Sequence, residues 1–283
     1  HLIAMARRAG HDVGLDDFEA VSRKVPILAN VRPSGERYLM EDFFYAGGIL
    51  ALMNRLGAIL DGTQMTVTGV PLGASFANAP CWNDDVIRSL DQPVSSEPAM
   101  AVLYGNLAPN GCVMKPSAVA PHLLNHAGPA LVFDSYAELK ERIDDEALDV
   151  TPDTVLILRG AGPQGGPGMP EWGMLPIPKK LLRMGVRDML RISDARMSGT
   201  SYGACVLHVS PEAYVGGPLA LVRTGDIVRV DVAARCIDMQ VSEAELAERR
   251  AAWQPPQPRF ERGYGWMFSR HVRQAHEGCD FDF

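Results

Sequence analysis

Within RISDARMSGTSYGA, residues 191–204, Ser198, Thr200 and Ser201 crowd into one small-residue turn behind a β-type run. A bare serine hydroxyl is a poor base, and no histidine lies close enough in sequence to read as its partner. The segment ARMSGTS also lacks the glycine two residues before the serine that a nucleophile elbow carries, which argues against an α/β-hydrolase. Proton abstraction by Ser198 near neutral pH therefore needs a strong local Lewis acid or positive field; a metal lowers the pKa of bound water by roughly eight or nine units. The plainer reading, a Ser/Gly turn leaving a strand, stays open at this level.

Glu171 is the one acid between Asp153 and Asp188 and stands near the end of the Gly/Pro-rich segment GAGPQGGPGMPEWG. A carboxylate on so stiff a loop has little freedom to lose on binding a cation, which suits a hard metal such as Mg²⁺; a solvated loop acid is the alternative. Gly160, Gly162 and Gly165 satisfy GxGxxG. That spacing binds a dinucleotide only where a helix starts at the glycines, and Pro163, Pro167 and Pro170 oppose one. His122 and His126 have the i, i+4 spacing of helical metal ligands, but Pro121 and the Gly128-Pro129 pair leave them only about one or two turns of helix. The five cysteines, Cys81, Cys112, Cys205, Cys236 and Cys279, are scattered without a CxxC pair, so neither a disulfide framework nor a zinc knuckle is expected.

These residues fall in the part of the chain rich in short β-type runs. From Ala101 onward AVLYG, ALVF, TVLIL, MLRIS, CVLHV, IVRVDV and CIDMQV are separated by Gly, Pro, Asp and Asn turns, the pattern of many short strands. IVRVDV alternates cleanly, which predicts one buried and one wet face. Many strands with few helices favour a closed or sandwiched sheet over a doubly wound one. Two capping boxes, Ser135 with Glu138 and Ser242 with Glu245, predict helices inside this region. Before it the periodicity is helical: LIAMARR stopping near Gly10, then a segment from Leu15 to Val25 behind Asp16 and Asp17. In the third helical segment, EDFFYAGGILALMNRLG, Gly47 and Gly48 predict either an interruption or a close approach of another group. A boundary near residue 96 separates the two regions.

Four strings, RISDARMSGTS, HVSPEAYVGGPLALVRTGDIV, GNLAPNGCVMKPSA and GGPGMPEW, closely resemble the dihydroxy-acid and sugar-acid dehydratase family, which includes phosphogluconate dehydratase. The likeness runs from HLIAMARRAG to the tail GYGWMFSRHVRQAHEGCDFDF. It implies the removal of water from a 2,3-dihydroxy acid to give a 2-keto-3-deoxy acid. It also implies an N-terminal α/β domain holding an iron–sulfur cluster of the 2Fe-2S type and a C-terminal β-barrel-like domain, with the active site between them. The expected fold is thus an α/β remnant of an N-terminal domain, 1–96, followed by a mainly β, barrel-like C-terminal domain, 97–283. By the same resemblance Glu171 in PGMPE corresponds to a Mg²⁺ ligand, Ser198 in SGT to the general base and a substrate-binding residue, and Thr200 to a second substrate-binding residue. SDARMSGT and GYGWMF are more similar to the aldonic-acid branch, such as arabinonate or xylonate dehydratases, than to the enzyme of branched-chain amino acid synthesis.

The chain opens at His1 in an already helical pattern, and the expectation is the C-terminal half of such an enzyme. The family's cluster cysteines and remaining metal ligands, including a carboxylated lysine, have no counterpart in this sequence, and none of the five cysteines matches a cluster ligand. The chain alone is therefore expected neither to hold the cluster nor to turn over. A net charge of −7 without a basic stripe argues against nucleic acid as a partner. No apolar run approaches the roughly 18 residues that span a bilayer, and no signal peptide is visible. The resulting expectation is a cytoplasmic protein that binds a small sugar acid, is completed by an N-terminal domain and forms a dimer or tetramer when intact. A non-catalytic binding or assembly module built on the barrel is the alternative from another class, and a branched-chain dihydroxy acid is the alternative substrate.

Overall fold

The helical first third forms α1 (Leu2–Arg8), α2 (Leu15–Ser22), α3 (Met40–Tyr45), α4 (Gly48–Leu56) and α5 (Leu72–Phe76). Strands follow: β1 (Ala101–Leu103), β2 (Cys112–Met114), β3 (Asn125–Phe133), β4 (Val155–Leu158), β5 (Arg191–Ser193), β6 (Cys205–Leu207), β7 (Ile227–Asp231) and β8 (Cys236–Met239). Among and after them lie α6 (Tyr136–Arg142), α7 (Lys179–Arg183), α8 (Glu243–Ala252) and α9 (Gly263–His271). This computed structural model describes residues 1–32, 35, 37–198 and 202–283. By contacts the chain divides into two compact units, His1–Glu19 with Met100–Phe283, and Ala20–Ala99.

The eight strands form one sheet in the order β1-β2-β6-β5-β4-β3-β7-β8. Its ends meet. Tyr104, next after β1, bridges to Cys236 at the start of β8; its N–H donates to the Arg235 carbonyl at 3.0 Å, and Ile237 N–H donates to the Tyr104 carbonyl at 2.9 Å. The sheet is thereby a nearly closed barrel, which removes exposed strand edges. Gly105 lets the seam close, because a Cβ there would lie 1.9 Å from the Ile237 carbonyl oxygen.

β3, β4, β5 and β6 run parallel to one another, the other strand pairs are antiparallel, and the bridge that closes the seam is parallel. Parallel strands are covered on both faces. Val155 and Ile157 of β4 pack in the core that holds Val206, Val228, Val230 and Ile237. Leu156 and Leu158 pack on the other side with Phe133, Leu139 and Leu181, beneath α6 and α7. This double burial is why TVLIL reads as an unbroken apolar run. β7, by contrast, buries only Val228 and Val230 and leaves Ile227 and Arg229 outward, as its alternation predicts. Both capping signals mark real helix starts: Ser135 Oγ accepts the Glu138 N–H at 3.1 Å, and Ser242 Oγ accepts the Glu245 N–H at 3.3 Å.

Within the first unit, Arg8 of α1 pairs with Asp280 at 2.6 Å, and Glu19 accepts the Val102 N–H at 2.9 Å and pairs with Arg235 at 2.5 Å. In the second, the helical run breaks between α3 and α4, and both expectations for its glycines hold. Gly47 adopts φ 117°, and a Cβ on it would meet the Pro80 carbonyl oxygen at 2.5 Å. No helix among the described residues is long and apolar enough to cross a membrane.

Gly105→Ala should force the seam apart and lower stability by about 2 kcal/mol or more, the scale of overpacking a filled site. Urea unfolding monitored by circular dichroism checks it through a lower midpoint at unchanged slope.

Candidate active site

Parallel strands leave their loops at one common edge, the place where such sheets hold ligands. Asp194, directly after β5, organises that edge. Its fully buried carboxylate accepts N–H groups from Gly160 (3.1 Å) and Ala161 (2.9 Å), after β4, and from Ala213 (3.0 Å), after β6. Burial raises its pKa, and the three N–H donors oppose that rise. Glu212 sits beside it, 1% exposed. Its carboxylate accepts from Gln164 N–H (2.9 Å), Gly165 N–H (2.8 Å) and Gln274 Nε2 (2.8 Å), while Gln274 Oε1 accepts the Glu212 N–H at 2.8 Å. Burial pushes Glu212 up to about 7 against those donors, and the Asp194 charge adds to the rise.

This arrangement disposes of the dinucleotide reading. No helix begins at Gly160, Gly162 or Gly165, and the loop's N–H groups are spent on the chain's own carboxylates instead of a phosphate. Gly162 is needed for that wrap: a Cβ on it would lie 2.6 Å from Glu212 Oε2.

The same loop carries Glu171 back towards Ser198. Gly173 N–H donates to the Arg196 carbonyl at 2.7 Å, so the two segments run side by side; a Cβ on Gly173 would strike Leu207 Cδ2 at 2.3 Å. Trp172 stacks on Tyr136 of α6 with centroids 4.8 Å apart, which pins the residue next to Glu171. The Glu171 carboxylate, 48% exposed, pairs with the Arg196 guanidinium. Ser198 is half-buried in the turn after β5, and Thr200 lies outside the described residues. The turn's return into β6 is held by a buried pair: Arg191 donates to Asp188 Oδ1 (2.8 Å) and to the Leu175 and Tyr202 carbonyls, and Asp188 accepts the Ala204 N–H at 2.9 Å. Gly203, at φ 93°, makes room for that guanidinium.

Next to both segments lies a cavity of about 330 Å³, reached by Met169, Arg196, Met197, His208, His276 and Cys279. His208 escapes sequence reading because it follows β6, on the far side of the turn from Ser198, and only strand pairing brings the β5 and β6 exits together. Its N–H donates to the Ala195 carbonyl at 3.1 Å, and its backbone is left-handed at φ 55°. Burial, helped by the Arg196 charge, pushes its pKa down to about 4. His276 Nδ1 lies 2.8 Å from Ser210 Oγ.

Glu171 suits the part of a single Mg²⁺ ligand, an accessible carboxylate held on a braced loop; Mg²⁺ commonly takes only one or two protein carboxylates. Among the described residues no group of three or more His, Cys, Asp or Glu could hold a metal. All five cysteines are free, and among the described residues none belongs to such a group; burial pushes the thiols of Cys112 and Cys205 up, the latter to about 11. His122 and His126 do not share a helix face. His122 belongs to a 3₁₀ turn, Pro121–Leu123, and His126 to β3, with its Nε2 at 2.9 Å from the Asp153 carbonyl oxygen.

Glu212 and His208 give opposite pH dependences. The folded chain holds the Glu212 proton that the unfolded chain releases near 4.5, so this stabilisation is complete below that pH and disappears as pH rises through about 7. His208 stabilises fully above 6.5, and its contribution is lost as pH falls through about 4. Glu212→Gln should therefore gain stability relative to the unaltered chain between pH 5 and pH 8, by on the order of 3 kcal/mol. Urea midpoints at the two pH values measure it.

The profile of the dihydroxy-acid/6-phosphogluconate dehydratase C-terminal domain matches residues 85–279, and that of the corresponding N-terminal domain matches residues 1–75. The chain is 58% identical to a 6-deoxy-6-sulfo-D-gluconate dehydratase of Pseudomonas putida, over 100% of this chain and 49% of that protein. It is 46% identical to an L-arabinonate dehydratase of Rhizobium leguminosarum bv. trifolii, again over 100% and 49%. With a dihydroxy-acid dehydratase of Caldanaerobacter subterraneus it shares 40%, over 99% of this chain and 50% of the other. The chain thus spans about half the length of the curated relatives it matches. Over that span, in its barrel, its motifs and its identity to these enzymes, the chain belongs to the dihydroxy-acid/6-phosphogluconate dehydratase family.

Proposed function

We propose that this chain contributes Glu171 and Ser198 to the active site of a hydro-lyase that dehydrates a sugar acid to its 2-keto-3-deoxy acid. The observation that carries the reading is the Gly173 to Arg196 backbone bond, which sets the Glu171 loop against the segment leading into Ser198. The substrate class follows the higher identity to the sulfogluconate and arabinonate enzymes than to the dihydroxy-acid dehydratase.

Ser198 Oγ, as its alkoxide, takes the proton from C2 of the acid and passes it to the C3 hydroxyl. That hydroxyl departs with its C–O bonding pair as water, which restores the alkoxide; the C2–H pair becomes the C2–C3 double bond of an enol, which tautomerises to the ketone. Mg²⁺ held by Glu171 would stabilise the charge that develops on the carboxylate and C2 hydroxyl as that proton leaves. Arg196 occupies Glu171 meanwhile; an ion pair this exposed is worth about 1 kcal/mol or less, so a divalent cation can displace it. Thr200 stands beside Ser198 in sequence and completes the substrate contacts. An iron–sulfur cluster of the longer protein would take its ligands from outside this chain and would supply a Lewis acid for the departing C3 hydroxyl.

The reading is tested on a protein of the relatives' full length that contains this chain, prepared anaerobically and supplied with a panel of aldonates. Formation of a 2-keto-3-deoxy acid supports it, and its absence across the panel refutes it. Ser198→Ala should abolish dehydration at unchanged iron content; retained turnover removes Ser198 as the base. Glu171→Gln should shift the Mg²⁺ titration of activity to higher concentration, and an unshifted titration removes Glu171 as a ligand.

A further inference from the structure

We propose that the cavity bounded by Met169, Met197 and the tail residues Ala275, His276, Gly278 and Cys279 is the subsite for the hydroxyl-bearing far end of the acid, with His208 as its hydrogen-bonding group. The inference rests on the dehydratase reading and extends it to substrate recognition. Position comes first: the cavity begins at Met197, one residue before Ser198, and at Met169, two before Glu171. An acid whose C2 proton lies at Ser198 has the rest of its carbon chain to place, and this is the adjoining space. At about 330 Å³ it lies within the range of small-molecule sites.

The lining has the chemistry for a polyhydroxy acid. Its described residues include Arg196 and three histidines but no Asp or Glu, so an anionic ligand meets no carboxylate. The half-buried His208 ring makes no hydrogen bond within the described residues, and its backbone is held in a left-handed conformation that non-glycine residues rarely adopt. Such strain persists where the surrounding structure imposes it, and it collects at ligand sites. With its pKa near 4 the ring is neutral at ordinary pH. A neutral imidazole offers one donor and one acceptor, the same pair a hydroxyl offers in return. Met169, Met197 and Ile3 supply the apolar surface against which the carbon chain lies.

The test is a coupling measurement on the full-length protein containing this chain. Substrates are an aldonate and its analogues lacking single hydroxyls beyond C3; variants are His208→Leu and His208→Asn, the latter chosen because asparagine tolerates left-handed backbone and so keeps the fold. In the unaltered enzyme, deleting the hydroxyl that His208 reads should lower kcat/KM by about tenfold or more, as expected where a site is built to bond a hydroxyl. In both variants the same deletion should cost less than about twofold, with the loss on the parent aldonate falling mainly in KM. An equal penalty in variant and unaltered enzyme, for every hydroxyl, overturns the subsite. If the unaltered enzyme dehydrates none of the acids, the dehydratase reading fails and the subsite falls with it.

Discussion

A single carboxylate sealed from water, that of Asp194, is what the functional edge of the barrel depends on. It leaves β5 and collects N–H groups from the loop after β4 and the loop after β6. Three strand exits are therefore fixed relative to one another by one group. A buried charge is costly unless it is fully hydrogen-bonded, so the loops cannot drift without exposing that cost. Glu212 repeats the device one layer out, binding the glycine loop on one side and Gln274 of the tail on the other. The Gly/Pro segment is held as a defined wrap around two buried carboxyl groups.

The turn containing Ser198 is framed with similar economy. Residues 194–204 connect the parallel neighbours β5 and β6, with no helix among the described ones. Parallel neighbours usually need a longer crossover. The return into β6 is anchored by Arg191 and Asp188, 2% and 9% exposed, and removing one partner of such a buried pair costs about 3–5 kcal/mol. Ser198 is half-buried between Asp194, which anchors the exit of β5, and this pair, which anchors the entry to β6.

Charge beside the cavity is paired within the chain. In the structure Arg196 covers Glu171, and the histidine across the strand exit is kept neutral by burial and by that same arginine. Arg196 also reaches the cavity, whose lining among the described residues holds no Asp or Glu.

Local sequence was enough for the elements whose signals are short-range. The capping serines, the alternation of β7, the unbroken apolar run of β4 and the broken helix at Gly47 each follow from propensity and periodicity. β2 was missed because three residues, CVM, carry no period, and β3 was read too short because its first half pairs with β7 and not through an apolar run. Motif strings marked Glu171 and Ser198, and the family comparison agrees with the family those strings suggested. Tertiary structure alone decided the rest: that the barrel closes between Tyr104 and Cys236, that Asp194 and Glu212 occupy the glycine loop in place of a phosphate, that Glu171 faces Arg196, and that His208 shares a cavity with Met197. Each of these is a contact between residues distant in sequence. Periodicity reports which face of an element is buried, but not which element covers it.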